Sequence, residues 1–134
     1  SDGLDMDFSI IQIENLNVIS SKNDCVDVSY GQYHLNKLNL NDCGDKSLSV
    51  GENSILNLNE LYSKDSNIGI ASKDSSKTFA NYLDFNNLNT CLSAYNKKQE
   101  FLGGIINVKR FKCTNFIKKL EVDKQSIINL NNEF

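Results

Sequence analysis

Proline and tryptophan are absent from this 134-residue chain, and histidine and methionine occur once each. No apolar run approaches the roughly 20 residues that a bilayer-spanning helix needs, so no membrane span is expected. The four cysteines form no CxxC pair and the single histidine stands at no metal-ligand spacing, which argues against zinc. His34 also lacks a neighbouring Ser or Cys nucleophile and reads as ordinary surface. Nor is there an excess of positive charge: 14 Lys and Arg against 17 Asp and Glu give −3 and a pI near 5.1, which disfavours nucleic acid as a partner. The local exception is Lys109, Arg110, Lys112, Lys118 and Lys119, expected as a solvated face with a polyanion site as the minor alternative. The chain enters its first pattern at once after Ser1-Asp2-Gly3, without Met or a leader, as a segment of a longer protein would.

What the chain does contain is repetition. Leu4, Val26, Leu48, Ile70 and Leu92 recur about every 22 residues, each followed two residues later by Met6, Val28, Val50, Ser72 and Ala94. A second column pairs Ile11, Tyr33, Leu56, Thr78, Ile106 and Ile128 with Ile13, Leu35, Leu58, Ala80, Val108 and Leu130, and a third runs through Leu16, Leu38, Leu61, Leu83 and Phe111. A fixed repeat period of this size specifies a stacked architecture. Alternation of apolar and polar residues, as in Leu4-Asp5-Met6 and Ile11-Gln12-Ile13, has the period of a strand. Asn, Asp, Gly and Ser fill the intervals, and each repeat is too short to hold a crossover helix. The coils read 2–23, 24–44, 45–66, 67–89, 90–117 and 118–134. The fifth is longer by about six residues, which places an inserted loop within 96–104. Its Gly103-Gly104 pair reads as the hinge that returns the loop to the coil.

The expected fold is therefore all-β: one domain over residues 1–134, a right-handed parallel β-helix of about six coils of about 22 residues, handed by the rule for parallel connections. Its end coils would expose strand edges, so end-to-end packing with further coils or another chain is expected. Val26, Val28, Leu48, Val50, Ile70 and Leu92 should share one core. Among the aromatics, Tyr33, Phe79, Phe85 and Phe111 are expected inside, and Phe8, Tyr30, Tyr62, Tyr82 and Tyr95 nearer the surface. Cys25, Cys43, Cys91 and Cys113 are expected mainly as buried free thiols, although stacked turns can bring a pair within disulfide reach.

The phrases Asp45-Lys46-Ser47-Leu48-Ser49-Val50-Gly51-Glu52-Asn53-Ser54 and Asn67-Ile68-Gly69-Ile70-Ala71-Ser72-Lys73-Asp74-Ser75-Ser76, one coil apart, carry a resemblance that covers nearly the whole chain. The pattern resembles the right-handed parallel β-helix repeats of the pectate-lyase-like superfamily, in particular β-helix segments of large bacterial extracellular polypeptides. That resemblance implies an extracellular or cell-envelope location and, since polysaccharide lyases and hydrolases of this class place their sites on one sheet, a site on one outward face. No cofactor follows from it: the Gly-rich nonapeptide that binds calcium in other β-solenoids is missing.

Residue spacing points to one such face. Asp5, Asp27, Ser49, Ala71 and Ser93 form one outward ladder, Asp7, Ser29, Gly51, Lys73 and Tyr95 the next, and Phe8, Tyr30, Glu52, Asp74 and Asn96 stand at the turn beyond. Coils stack at about 4.8 Å, which makes Ser49, Glu52, Lys73, Asp74 and Tyr95 neighbours beside Lys97 of the inserted loop. These six are the candidate binding residues, with an oligosaccharide as the expected ligand and no metal. A Lys or Tyr beside carboxylates also suits proton abstraction from a sugar ring if burial moves its pKa. In the structural alternative Glu52 and Asp74 accept backbone N–H groups at the turn, Lys73 pairs with them, and Ser54 stacks on Ser76. Three functions stand: a binding or structural module, a lyase or hydrolase, and a spacer without ligand.

Overall fold

Inward residues two apart build a straight strand, and a coil must break that alternation wherever it bends. In the computed structural model, which describes residues 1–134, all regular structure is strand. In chain order these are β1 (Leu4–Asp7), β2 (Ile10–Val18), β3 (Val26–Ser29), β4 (Gln32–Asn41), β5 (Lys46–Val50), β6 (Ile55–Lys73), β7 (Lys77–Tyr95), β8 (Ile105–Val122) and β9 (Ile127–Glu133). Every pairing is parallel. Leu4 pairs with Val26, Val26 with Leu48, Leu48 with Ile70, Ile70 with Leu92 and Leu92 with Leu120, so the first column is one continuous ladder. The molecule is a parallel β-solenoid of about six turns.

Each coil has three sides. Between the second and third, two consecutive residues point outward, as Glu14-Asn15, Asn59-Glu60 and Lys109-Arg110, before Leu16, Leu61 and Phe111 turn back in. Where the third side meets the next first side, Asp42, Asp65, Asn87 and Asn115 take φ of 56°, 56°, 64° and 56°, a left-handed conformation that Asn and Asp tolerate. Asn and Asp side chains at and just after this corner stack from coil to coil: Asn87 Nδ2 donates to Asp65 Oδ1 at 2.8 Å, Asn67 Nδ2 to Asp45 Oδ1 at 3.1 Å, and Asn89 Nδ2 to Asn67 Oδ1 at 2.8 Å. At the first-to-second corner the left-handed positions include Phe8 and Tyr30, both at φ 48°.

Val26, Val28, Leu48, Val50, Ile70 and Leu92 are all fully buried, as their spacing requires. Each such side chain contributes about 1.5–3 kcal/mol by leaving water. Tyr33, Phe85 and Phe111 are inside as expected, but Phe79 is 40% exposed. The register explains the difference: Phe79 pairs with Asn57, and Asn57 with His34, an outward column. The terminal coils are less covered, and Leu4, Ile11, Ile13, Leu120, Ile128 and Leu130 are only partly buried because each has a neighbouring coil on one side.

The cysteines are not free thiols. Cys25 bonds Cys43 and Cys91 bonds Cys113, with Cα atoms 5.4 and 6.5 Å apart, and no free cysteine remains. Each bond joins the start of a coil's first side to the end of its third. One circuit brings the chain back almost above its starting point, which is the geometry a disulfide spans. The Gly103-Gly104 pair returns the inserted loop to the coil just before β8, but by close packing and not by glycine's conformational freedom. Neither residue has positive φ, both are buried, and a Cβ on Gly104 would collide with the Ser72 carbonyl.

Candidate functional site

The first side presents small residues along its middle ladder, from Ser49 through Ala71 to Ser93. Small side chains leave a trough, and longer neighbours lie down into it. Ser49 is fully buried, and Lys73 Nζ donates to Ser49 Oγ at 3.0 Å. This bond fixes Lys73 across the sheet instead of toward the turn carboxylates. Burial, and then the Lys46 ammonium, hold Lys73 below the usual lysine range. Burial also raises the Tyr95 phenol, an effect that Lys46 opposes. Lys46 itself is raised: burial works against its charge, but the hydrogen bond to Asp45 at 2.7 Å and the Asp24 carboxylate 3.9 Å away outweigh it.

Asp27, one coil before Ser49, belongs to the same group. Burial raises its carboxyl to about 6 against the pull of Lys73, with the Asp24, Asp2 and Asp5 carboxylates adding to the rise. Ligand oxygens of Asp2, Asp24 and Asp27 lie within 4.8 Å of one another, a geometry suited to a hard cation. Two of them have work already, since Asp2 Oδ1 accepts the Asp24 N–H and Asp24 Oδ1 the Lys46 N–H. Asp27 and Tyr95 make no side-chain hydrogen bond, and Lys73 makes only the one to Ser49.

The other candidates sit at the corner. Asp74 is fully buried beneath the inserted loop, and its Oδ1 accepts the backbone N–H groups of Lys97 at 2.7 Å and Lys98 at 2.8 Å, while Oδ2 has no partner. Glu52 pairs with Lys98, Nζ to Oε2 2.9 Å. Burial opposes its charge, but its own backbone N–H and Lys98 hold it below the usual carboxylate range. Lys97 is exposed. Residues 96–104 form a loop, yet instead of projecting they lie back along the corner, Leu102 N donating to Ser75 Oγ at 2.8 Å and Phe101 packing edge-on against Tyr30 at 6.3 Å. Phe8 stacks on Tyr30 with centroids 4.6 Å apart. Ser76 bonds Ser72 and the Val50 carbonyl rather than stacking on Ser54.

Of the six residues the sequence nominates, Lys73, Tyr95 and Ser49 meet on the first side, with Ser49 as floor. Glu52, Asp74 and Lys97 form a separate turn-and-loop assembly. Asp27 and Lys46 join the first group; Asp27 stands in the same outward ladder as Ser49, which was the available signal for it.

A second concave surface lies round the back. Along the bend between second and third sides, Asn36 Nδ2 donates to Glu14 Oε1, Asn59 Nδ2 to Asn36 Oδ1 and Asn81 Nδ2 to Asn59 Oδ1, at 2.9, 3.0 and 3.1 Å. This ladder borders two adjoining hollows of about 500 and 490 Å³, both of which Asn59, Asn81 and Lys109 line. The sequence-level signal for it was the recurrence of Asn36, Asn59 and Asn81.

Fold and faces together define a parallel β-solenoid with polar surfaces on two flanks. No family model matches the chain, and no curated protein or solved structure matches it either. The chain has no helix long and apolar enough to cross a membrane.

Proposed function

We propose that this solenoid is a binding module of an extracellular or cell-envelope protein, akin to the right-handed β-helix repeats of the pectate-lyase-like superfamily, and that its first side takes an oligosaccharide. The observation that carries the reading is the trio Asp27, Lys73 and Tyr95: burial perturbs all three, yet they make almost no hydrogen bonds to protein. Polar groups partly removed from water and left without partners gain most from a ligand that supplies hydroxyls. Glu52 and Lys97 border the same face at the corner. The two disulfides support an oxidising compartment. Partly covered apolar residues on the end coils support stacking against further coils or another chain.

A second reading, a polysaccharide lyase or glycoside hydrolase, draws on Asp27 titrating near 6 beside a Lys held low, which are groups able to exchange protons near neutral pH. Calorimetric titration with neutral and acidic oligosaccharides tests binding. Lys73→Ala with Tyr95→Ala should weaken it by about tenfold or more. No binding of any glycan by the wild type leaves the spacer as the better account. Release of new chain ends from a polysaccharide, lost in Asp27→Asn, would favour the enzyme.

A further inference from the structure

At the bend of the fifth coil, Lys109 and Arg110 are the two consecutive outward residues, and both line the hollow beside Tyr62 and Tyr82. The Arg110 guanidinium lies 4.7 Å from the Tyr82 ring centroid and 5.6 Å from that of Phe134. Tyr62 packs edge-on against Tyr82 at 5.9 Å, and Lys37 stands 5.7 Å from the Tyr62 ring. Arg110 is exposed, yet it makes no ion pair. Of the nearby carboxylates, Glu60 lines the same hollow and accepts the Tyr62 hydroxyl at 2.7 Å, Asp84 stands beside Tyr62 in the strand register, Glu133 pairs with Lys119 at 2.8 Å, and none pairs with Arg110. A guanidinium oriented by aromatic rings keeps its planar fork of donors free and loses little further entropy on binding. Such a fork fits the paired oxygens of an oxyanion.

We infer that this bend is a second binding site, distinct from the first side, for the oxyanion groups of an acidic glycan. Arg110 grips the anion, Lys109 adds charge, and the Asn59 and Asn81 carboxamides meet neighbouring hydroxyls. Lys37 and Arg110 already occupy faces of the two tyrosine rings, which disfavours the base stacking that single-stranded nucleic acid uses. The carboxylates of the first three coils oppose a long polyanion along the whole axis. The inference rests on the module reading glycans, but on a different face from that proposed above.

The test is NMR titration of the 134-residue protein with sulfated, uronic-acid and polyol-phosphate oligosaccharides, a neutral oligosaccharide, single-stranded DNA and an acidic peptide. At least one acidic glycan should shift the amides of Arg110, Lys109 and Asn81, and should bind about tenfold tighter than the neutral one. The three acidic arms identify which oxyanion is preferred. Arg110→Lys, which keeps the charge but not the fork, should weaken binding about tenfold, and Tyr82→Leu should do so with Arg110 still present. Both positions are at the surface, and an unchanged melting temperature confirms the fold. Equal binding by Arg110→Lys, equal binding of neutral and acidic glycans, or tighter binding of DNA or peptide would overturn the site. Neutral-glycan shifts around Lys73 and Tyr95 with none at Arg110 would overturn it while sparing the first-side reading. Shifts at Arg110 alone would support it and reject that other face.

Discussion

A carboxyl group on a solvated sheet face ionises near 4, whereas Asp27 does so at about 6 because burial penalises its charge and three carboxylates crowd it. Its pKa is raised on folding, so the stability linked to this group is full below 3.8 and is lost as pH rises through about 6. The full shift corresponds to about 3 kcal/mol, and partial solvent access reduces it to about 1–2 kcal/mol. Asp27→Asn should therefore stabilise the protein by about that amount at pH 7.5 and by almost nothing at pH 4. Urea melts across that range measure the gap. A variant less stable than its parent at pH 7.5 would show that the ionised form is held by a partner. This residue is also where sequence reading reached its limit. Alternation fixes whether a side chain points in or out, and on that basis Ser49 was outward. It cannot tell that Lys73 lies across Ser49 and buries it.

Among the elements, the loop of residues 96–104 is the one departure from regular stacking. Its position was legible because the apolar columns on either side resume in register. Its posture was not, because the bonds that lay it down run from backbone N–H groups of Lys97 and Lys98 to a side chain of the previous coil. Asp74→Ala removes that acceptor and leaves two N–H groups to find water. The expected cost is about 1–3 kcal/mol. Hydrogen exchange should show the Lys97 and Lys98 amides losing protection while the Val50 and Ile70 amides keep theirs. If the strand amides lose protection equally, the loop is part of the core rather than a strap upon it. Phe79 teaches the same lesson in reverse: an aromatic beside a core column was placed inside by its type, while its register neighbours His34 and Asn57 place it outside.

At the scale of the whole molecule, each coil packs only on its neighbours, apart from the 96–104 loop that reaches back to Glu52 and Tyr30, and stability is close to a sum along one axis. The first and last coils each have one neighbour and should open most readily, with protection rising toward the third and fourth. The disulfides close the second and fifth coils and so bracket that middle. Reduction should cost about 3 kcal/mol per bond in the chain-entropy account and should let opening spread inward from both ends. Exchange that is uniform along the axis, and unchanged by a reductant, would contradict this. The six-turn architecture was readable because apolar residues must stack on apolar residues. The cysteine pairing was not, because sequence spacing fixes neither the shape of a coil nor the pitch that returns it to its start. Each disulfide also turns a coil into a closed ring. A chain pulled from its ends can pay out only what lies outside those rings, so spans of 18 and 22 residues are withheld from extension. That is about 60 and about 75 Å of polypeptide that tension cannot draw out until the bonds are reduced.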